Sequence, residues 1–122
     1  MAVVESRFPA RLFRVGDEPD PRFSLANERT FLAWIRAALA LIAAGVALEA
    51  LGLALHPGFR TAASILLVVA GLLTPLQAWL GWYATEKALR RTRPLPPALL
   101  ALPTAVLVVV AGLLVFLGIL YR

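Results

Sequence analysis

Cysteine is absent from this chain, and histidine and methionine occur once each. Without cysteine there is no disulfide, no thiolate nucleophile and no cysteine-ligated metal, and the single histidine, His56, cannot build a histidine metal site. Acidic residues are scarce: seven Asp and Glu stand against twelve Lys and Arg, for a net charge of +5. No glycine loop of the kind that cradles phosphates occurs, and no serine, histidine and carboxylate set shares a helical face, so the chain reads as a non-enzyme without a cofactor. The segment before Phe31 has mixed charge and several prolines but no short apolar core followed by small residues, so a cleaved signal peptide is not expected.

Apolar residues dominate instead. They make up 61% of the 122 positions and give a mean hydropathy of +0.82, too apolar for a soluble domain of this size. Residues 31–55, 64–83 and 99–121 form three apolar runs. Each is long enough for a hydrocarbon core about 30 Å thick, which takes about 20 helical residues. The expected fold is all-α, a single three-helix transmembrane domain over residues 24–122 with helices at 24–55, 61–91 and 97–121, preceded by a tail over residues 1–23. The basic residues are sorted by side. Arg7, Arg11, Arg14, Arg22, Arg29 and Arg36 lie in the tail or at the entrance of the first span, and Lys87, Arg90, Arg91 and Arg93 lie between the second and third spans. The first connection holds only Arg60 and the C-terminus only Arg122. The positive-inside rule therefore puts the N-terminus in the cytoplasm and the C-terminus outside, and membrane sorting accounts for the positive charge without nucleic acid.

The densest chemistry is the run Leu25-Ala26-Asn27-Glu28-Arg29-Thr30-Phe31-Leu32-Ala33-Trp34-Ile35-Arg36, which carries charge into the start of an apolar span. Ser24 is the expected N-cap of this helix. Arg22, Arg29 and Arg36 are seven apart, which keeps them on one helical face with a drift of about 20° per step. The same face continues through Ala40, Ala43, Ala44 and Ala47, small residues that let another backbone approach. If the core begins at Phe31, Arg36 lies about 7 to 8 Å deep at 1.5 Å per residue, and snorkelling accounts for it as well as function does.

Two polar residues lie deeper. Glu49 sits about 140° around the helix from Arg36 and so cannot pair with it; its carboxyl is expected to be protonated, bonded to another helix or hydrated near the outer surface. Gln77 follows Pro75 in the second span and offers a polar group for a helix contact or a pore wall. Trp79, Trp82 and Tyr83 read as an interfacial belt, and Glu86 and Arg90 as an i,i+4 pair on a helical extension. The third span is apolar all round and reads as a lipid-facing layer.

At residues 25–36 the chain resembles the YidH family of small bacterial inner-membrane proteins, and the Asn-Glu-Arg-Thr-Phe-Leu core also resembles the membrane domain of the eukaryotic vacuolar transporter chaperone complex. That resemblance implies a multi-pass inner-membrane location and a pentamer. It also implies a polyanion pore lined by this helix, with Arg29 holding phosphate and Glu28 orienting it. Ala84 and Thr85 stand where related sequences tend to carry an arginine, with Lys87 the nearby cation. The chaperone's polyphosphate-making domain has no counterpart in this chain.

Two functions fit the residues. The first is a homo-oligomer with a basic cytoplasmic vestibule that binds or conducts an anion such as phosphate or polyphosphate, using Asn27, Glu28, Arg29, Arg36, Lys87 and Arg90, because a planar guanidinium offers phosphate two parallel hydrogen bonds. The second is a non-conducting structural or regulatory subunit that binds a partner protein or anionic lipid, which basic clusters attract at about 1 kcal/mol per charge.

Overall fold

The chain folds around one central helix. The computed structural model describes residues 7–97 and 101–122, and among them are four helices: α1 (Ala10–Phe13), α2 (Pro21–Ala50), α3 (Pro57–Arg90) and α4 (Ala101–Leu120). α2, α3 and α4 are each long and apolar enough to cross a membrane. Parts of the tail, residues 1–6, and of the last connection, residues 98–100, lie outside the described residues.

The helix starts are set by polar caps followed by proline. α2 begins at Pro21, not at Ser24: Asp20 accepts the Arg22 backbone N–H at 2.9 Å, and Pro21 supplies a first-turn φ at no hydrogen-bond cost. Ser24 is thereby one turn inside the helix, free to bond elsewhere. α3 begins at Pro57 rather than 61, because the His56 Nδ1 caps it by accepting the Gly58 N–H at 3.1 Å. The lone histidine is thus a cap. α2 stops at Ala50, short of the expected 55, and Gly52 turns the chain with a φ of 61°, a conformation that favours glycine. Residues 94–97 are not helical, so the third helix starts after the expected 97.

α3 has 34 residues, about 51 Å at 1.5 Å per residue, which exceeds the membrane core and lets its basic end project. It packs against α2 on one side and α4 on another, while α2 and α4 do not meet. The α2–α3 contact rests on small residues. A Cβ added at Gly45 would lie 2.8 Å from the Ser64 carbonyl oxygen, and one at Gly71 would lie 2.9 Å from the Ala38 carbonyl oxygen. Ser64 Oγ uses that closeness to donate to the Gly45 carbonyl at 2.6 Å. Such contacts suit a membrane, where dispersion and hydrogen bonding between helices replace the hydrophobic drive. Thr74, next to Pro75, donates to the Ala70 carbonyl at 2.6 Å, and α3 continues through the proline unbroken.

Most large apolar side chains, such as Leu39, Val46, Leu72, Leu76, Val109 and Leu113, point away from the other helices. Of α4 only Ala111 and Gly118 are buried, so it forms the outer layer expected of it. At one end the His56 N–H donates to the Gly118 carbonyl at 3.0 Å and ties the α2–α3 connection to α4; at the other the tail folds over the end of α3.

Candidate functional site

The basic end is built from three groups of side chains. The first clasps α2 to α3. Ser24 Oγ donates to Glu86 Oε1 at 2.7 Å, and Asn27 Nδ2 donates to the Trp82 carbonyl at 3.0 Å and to Glu86 Oε2 at 3.3 Å. Asn27 and Glu86 are both buried, so a carboxylate in this seam is held by two neutral donors. The sequence reading of Asn27 as an anion contact is therefore corrected: its amide faces α3 and its donors are spent.

The second group holds the tail. The Arg90 guanidinium, with its side chain 3% exposed, donates from Nε to the Val15 carbonyl at 2.7 Å and from Nη2 to the Phe13 carbonyl at 2.8 Å, and its Nη1 lies 3.4 Å from Glu18 Oε2. Gly16, with a φ of 55°, brings the chain against the Arg90 carbonyl where a side chain would collide, and the Asp17 N–H donates to that carbonyl at 3.0 Å. The expected Glu86–Arg90 pair does not form. Glu86 points to α2 and Arg90 to the tail, so Arg90 is also withdrawn from the open patch to which the sequence assigned it.

Arg7 completes this group by gripping both Glu18 oxygens, at 2.9 and 2.8 Å. Its hydrogen bonds come first among the causes that hold the Glu18 carboxyl down to about 2. The Arg22 guanidinium, followed by its backbone N–H, likewise holds Asp20 below the ordinary carboxylate range. Sequence reasoning missed Arg7, Glu18 and Ser24 as structural contacts. Their partners are distant in the chain, and no periodicity connects a tail residue to the end of a span.

The third group is unpaired. Glu28, Arg29 and Arg36 are exposed and Lys87 half-exposed, and none of the four side chains has a hydrogen bond or ion pair among the described residues. Arg22 differs, because Asp20 holds it at 2.8 Å. Arg29 and Arg36 share their flank of α2 with Ala40, Ala43 and Ala44, which are exposed as well, so neither α3 nor α4 covers this face. A cavity of about 590 Å³ lies elsewhere, between α2 and α3 beneath residues 95–97, with Asn27, Thr30, Trp34, Gln77 and Trp82 in its wall. Among the described residues its lining carries no charge, so it is not where an anion would be drawn.

The remaining polar residues serve packing. Gln77 Oε1 accepts from Thr104 Oγ1 at 3.2 Å, joining α3 to α4. Glu49 lies at the opposite end, where its carboxylate accepts from Thr61 Oγ1 at 3.3 Å and lies 3.6 Å from Arg60 Nε. This is the bonded, surface-near state among those expected of it.

Residues 22–88 match the family described as a domain of unknown function, DUF202. The chain is similar to an uncharacterised protein of Mycobacterium tuberculosis, 48% identical over 103 residues that cover 80% of this chain and 84% of that one. It is also similar to the inner membrane protein YidH of Escherichia coli K12, 39% identical over 114 residues covering 88% of this chain and 99% of YidH, and to the YidH of Shigella flexneri at the same identity. No solved structure matches the chain. With the matched segment covering nearly all of α2 and of α3, and with three helices able to cross a bilayer, the chain belongs to the YidH-like DUF202 family and is a multi-pass protein of the inner membrane.

Proposed function

We propose that the protein is a non-enzymatic homo-oligomer whose α2 flanks surround a basic vestibule at the cytoplasmic end, where a phosphate-rich anion is bound or conducted. The observation that carries this reading is the exposed, unpaired state of Arg29 and Arg36 on an uncovered face of α2. An unpaired guanidinium at a membrane entrance keeps its full hydrogen-bonding fork for a ligand. Exposed alanines on the same face let a second copy approach, and copies arranged around an axis would multiply the positive field. Glu28, beside Arg29, would orient the bound anion, and Lys87 would add charge from α3. Asn27 and Arg90 support this site by fixing α2 and the tail on α3. Polyphosphate as the anion, and five as the number of copies, rest on the likeness of the Asn27 to Trp34 stretch to the vacuolar transporter chaperone domain.

The chain lacks cysteine, so a single Ala43→Cys introduces a unique crosslinking site. Disulfide-linked dimers in the membrane, together with polyphosphate binding that Arg29→Ala abolishes in a folded protein, are the expected results. Monomeric protein, or binding indifferent to Arg29 and Arg36, would sink the proposal. The second reading, a non-conducting subunit that grips anionic lipid, is favoured by Phe8, an exposed ring stacked 6.3 Å from Trp79 in the aromatic belt. Planar-bilayer recordings together with the Arg29 dependence of polyphosphate binding separate the two, since the lipid-gripping subunit passes no current and needs no polyphosphate.

A further inference from the structure

The tail over residues 7–18 brings two guanidinium groups to one carboxylate. Arg7 takes both oxygens of Glu18, through Nη1 to Oε1 at 2.9 Å and Nη2 to Oε2 at 2.8 Å, while Arg90 Nη1 reaches the already occupied Oε2 at 3.4 Å. Both cations lie over the Phe13 ring, whose centroid is 4.2 Å from the Arg7 guanidinium carbon and 5.3 Å from that of Arg90. Arg7 Nε is buried and has no acceptor among the described residues. Three N–H groups thus converge on two carboxylate oxygens, the rest of the Arg90 fork being held by the Phe13 and Val15 carbonyls, and one buried donor of Arg7 is left over. A carboxylate offers these groups two oxygens in one plane, whereas a phosphate group presents at least three strong acceptor oxygens in a tetrahedron.

We propose that Arg7 and Arg90 form a binding site for a phosphate oxyanion at the end of α3, and that Glu18 occupies it as a built-in competitor. Glu18 is the exposed member, with its side chain 54% accessible against 3% for Arg90, so it can swing out while Arg90 stays anchored to the Phe13 and Val15 carbonyls. Glu86 also acts on Arg7 through space. Glu18 already takes the Arg7 fork and the free Arg90 Nη1, so the incoming anion must displace it rather than join it. Because Arg7 keeps the Glu18 carboxyl ionised down to about 2, the competitor is in place at neutral pH. The site lies in the tail, separate from Arg29 and Arg36, and does not depend on the vestibule.

The test uses the full chain carrying Arg29→Ala and Arg36→Ala, so that the vestibule contributes no binding. In lipid-free detergent, Glu18→Gln is expected to bind inorganic pyrophosphate about tenfold more tightly than its parent, the scale of a coupling between competing occupants. Adding Arg7→Ala is expected to remove that gain. Hydrogen exchange at Asp17, whose N–H is bonded to the Arg90 carbonyl, reports whether the tail remains docked in each variant; if Arg7→Ala releases it, the charge-keeping Arg7→Lys replaces it in the comparison. A second arm places the same proteins in nanodiscs of phosphatidylglycerol or phosphatidylcholine and reads exchange in the tail. Tightening in detergent identifies free phosphate as the ligand, and protection of the Glu18→Gln tail by phosphatidylglycerol alone identifies a lipid headgroup. No gain from Glu18→Gln in either arm, or a gain that persists without the Arg7 fork, overturns the site.

Discussion

Ser24 Oγ donates to Glu86 Oε1 at 2.7 Å, and this bond, between residues 62 positions apart, joins the first turn of α2 to the last turns of α3. Together with Asn27 it satisfies a carboxylate that is 4% exposed. The cations that sequence proximity offers to Glu86 are turned elsewhere, so the seam is closed by neutral donors.

Asn27→Leu should destabilise the protein by about 1–3 kcal/mol, since it leaves Glu86 with one donor and the Trp82 carbonyl with one partner fewer. Thermal unfolding in detergent measures this. Ser24→Ala combined with Glu86→Gln should cost less than the sum of the single changes, as expected for two ends of one bond. Strict additivity would show that the bond contributes nothing.

Arg29→Ala and Arg36→Ala should change stability by no more than about 0.5 kcal/mol, because both side chains are exposed and unpaired. The same unfolding assay decides it. A large loss of stability would mean that these arginines hold the fold together and would remove the argument that they are kept free for a ligand.

Gly71→Val should push α2 and α3 apart. The new Cβ would meet backbone, the Ala38 carbonyl oxygen at 2.9 Å, which cannot rotate away as a side chain can. The expected cost is about 1–3 kcal/mol, read as a lower unfolding midpoint. Gly81→Val, where an added Cβ meets nothing within 4 Å, is the control and should be tolerated.

Acid should loosen the tail. Glu18 is held at about 2, below the 4.5 of an ordinary glutamate, so the folded tail binds fewer protons than the released one. Its contribution to docking is complete above about 4.5, declines as pH falls toward 2 and is gone below that. Hydrogen exchange at residues 7–18, corrected for intrinsic rates, should accelerate across that window. Glu18→Gln should flatten the response, and an unchanged profile in that variant would assign the effect to another group.

The three spans were legible because a bilayer imposes one requirement that composition meets openly: about 20 apolar residues per crossing. The outer placement of the third helix followed in the same way, since a segment apolar all round has no polar face to bury. Helix ends were less legible. Asp20 and Ser24 are both good caps, and it was Pro21 that settled between them, since proline is favoured at a first helical position and Asp20 immediately precedes it. The candidate site was read in part. Helical spacing put Arg29 and Arg36 on one face with Ala40 and Ala43, and they are found there; the same spacing could not say that Asn27 faces α3.

The sequence by itself determined how many times the chain can cross a membrane and which residues share each helical face, because both follow from local geometry and the cost of moving polar groups out of water. Only the tertiary structure decided which cations are free. Arg90 and Arg29 are the same residue type at the same end of the molecule, yet one is held by Phe13, Val15 and Glu18 and the other has no partner among the described residues. An arginine's availability depends on acceptors more than seventy positions away, and chain distance does not encode such contacts until the helices pack.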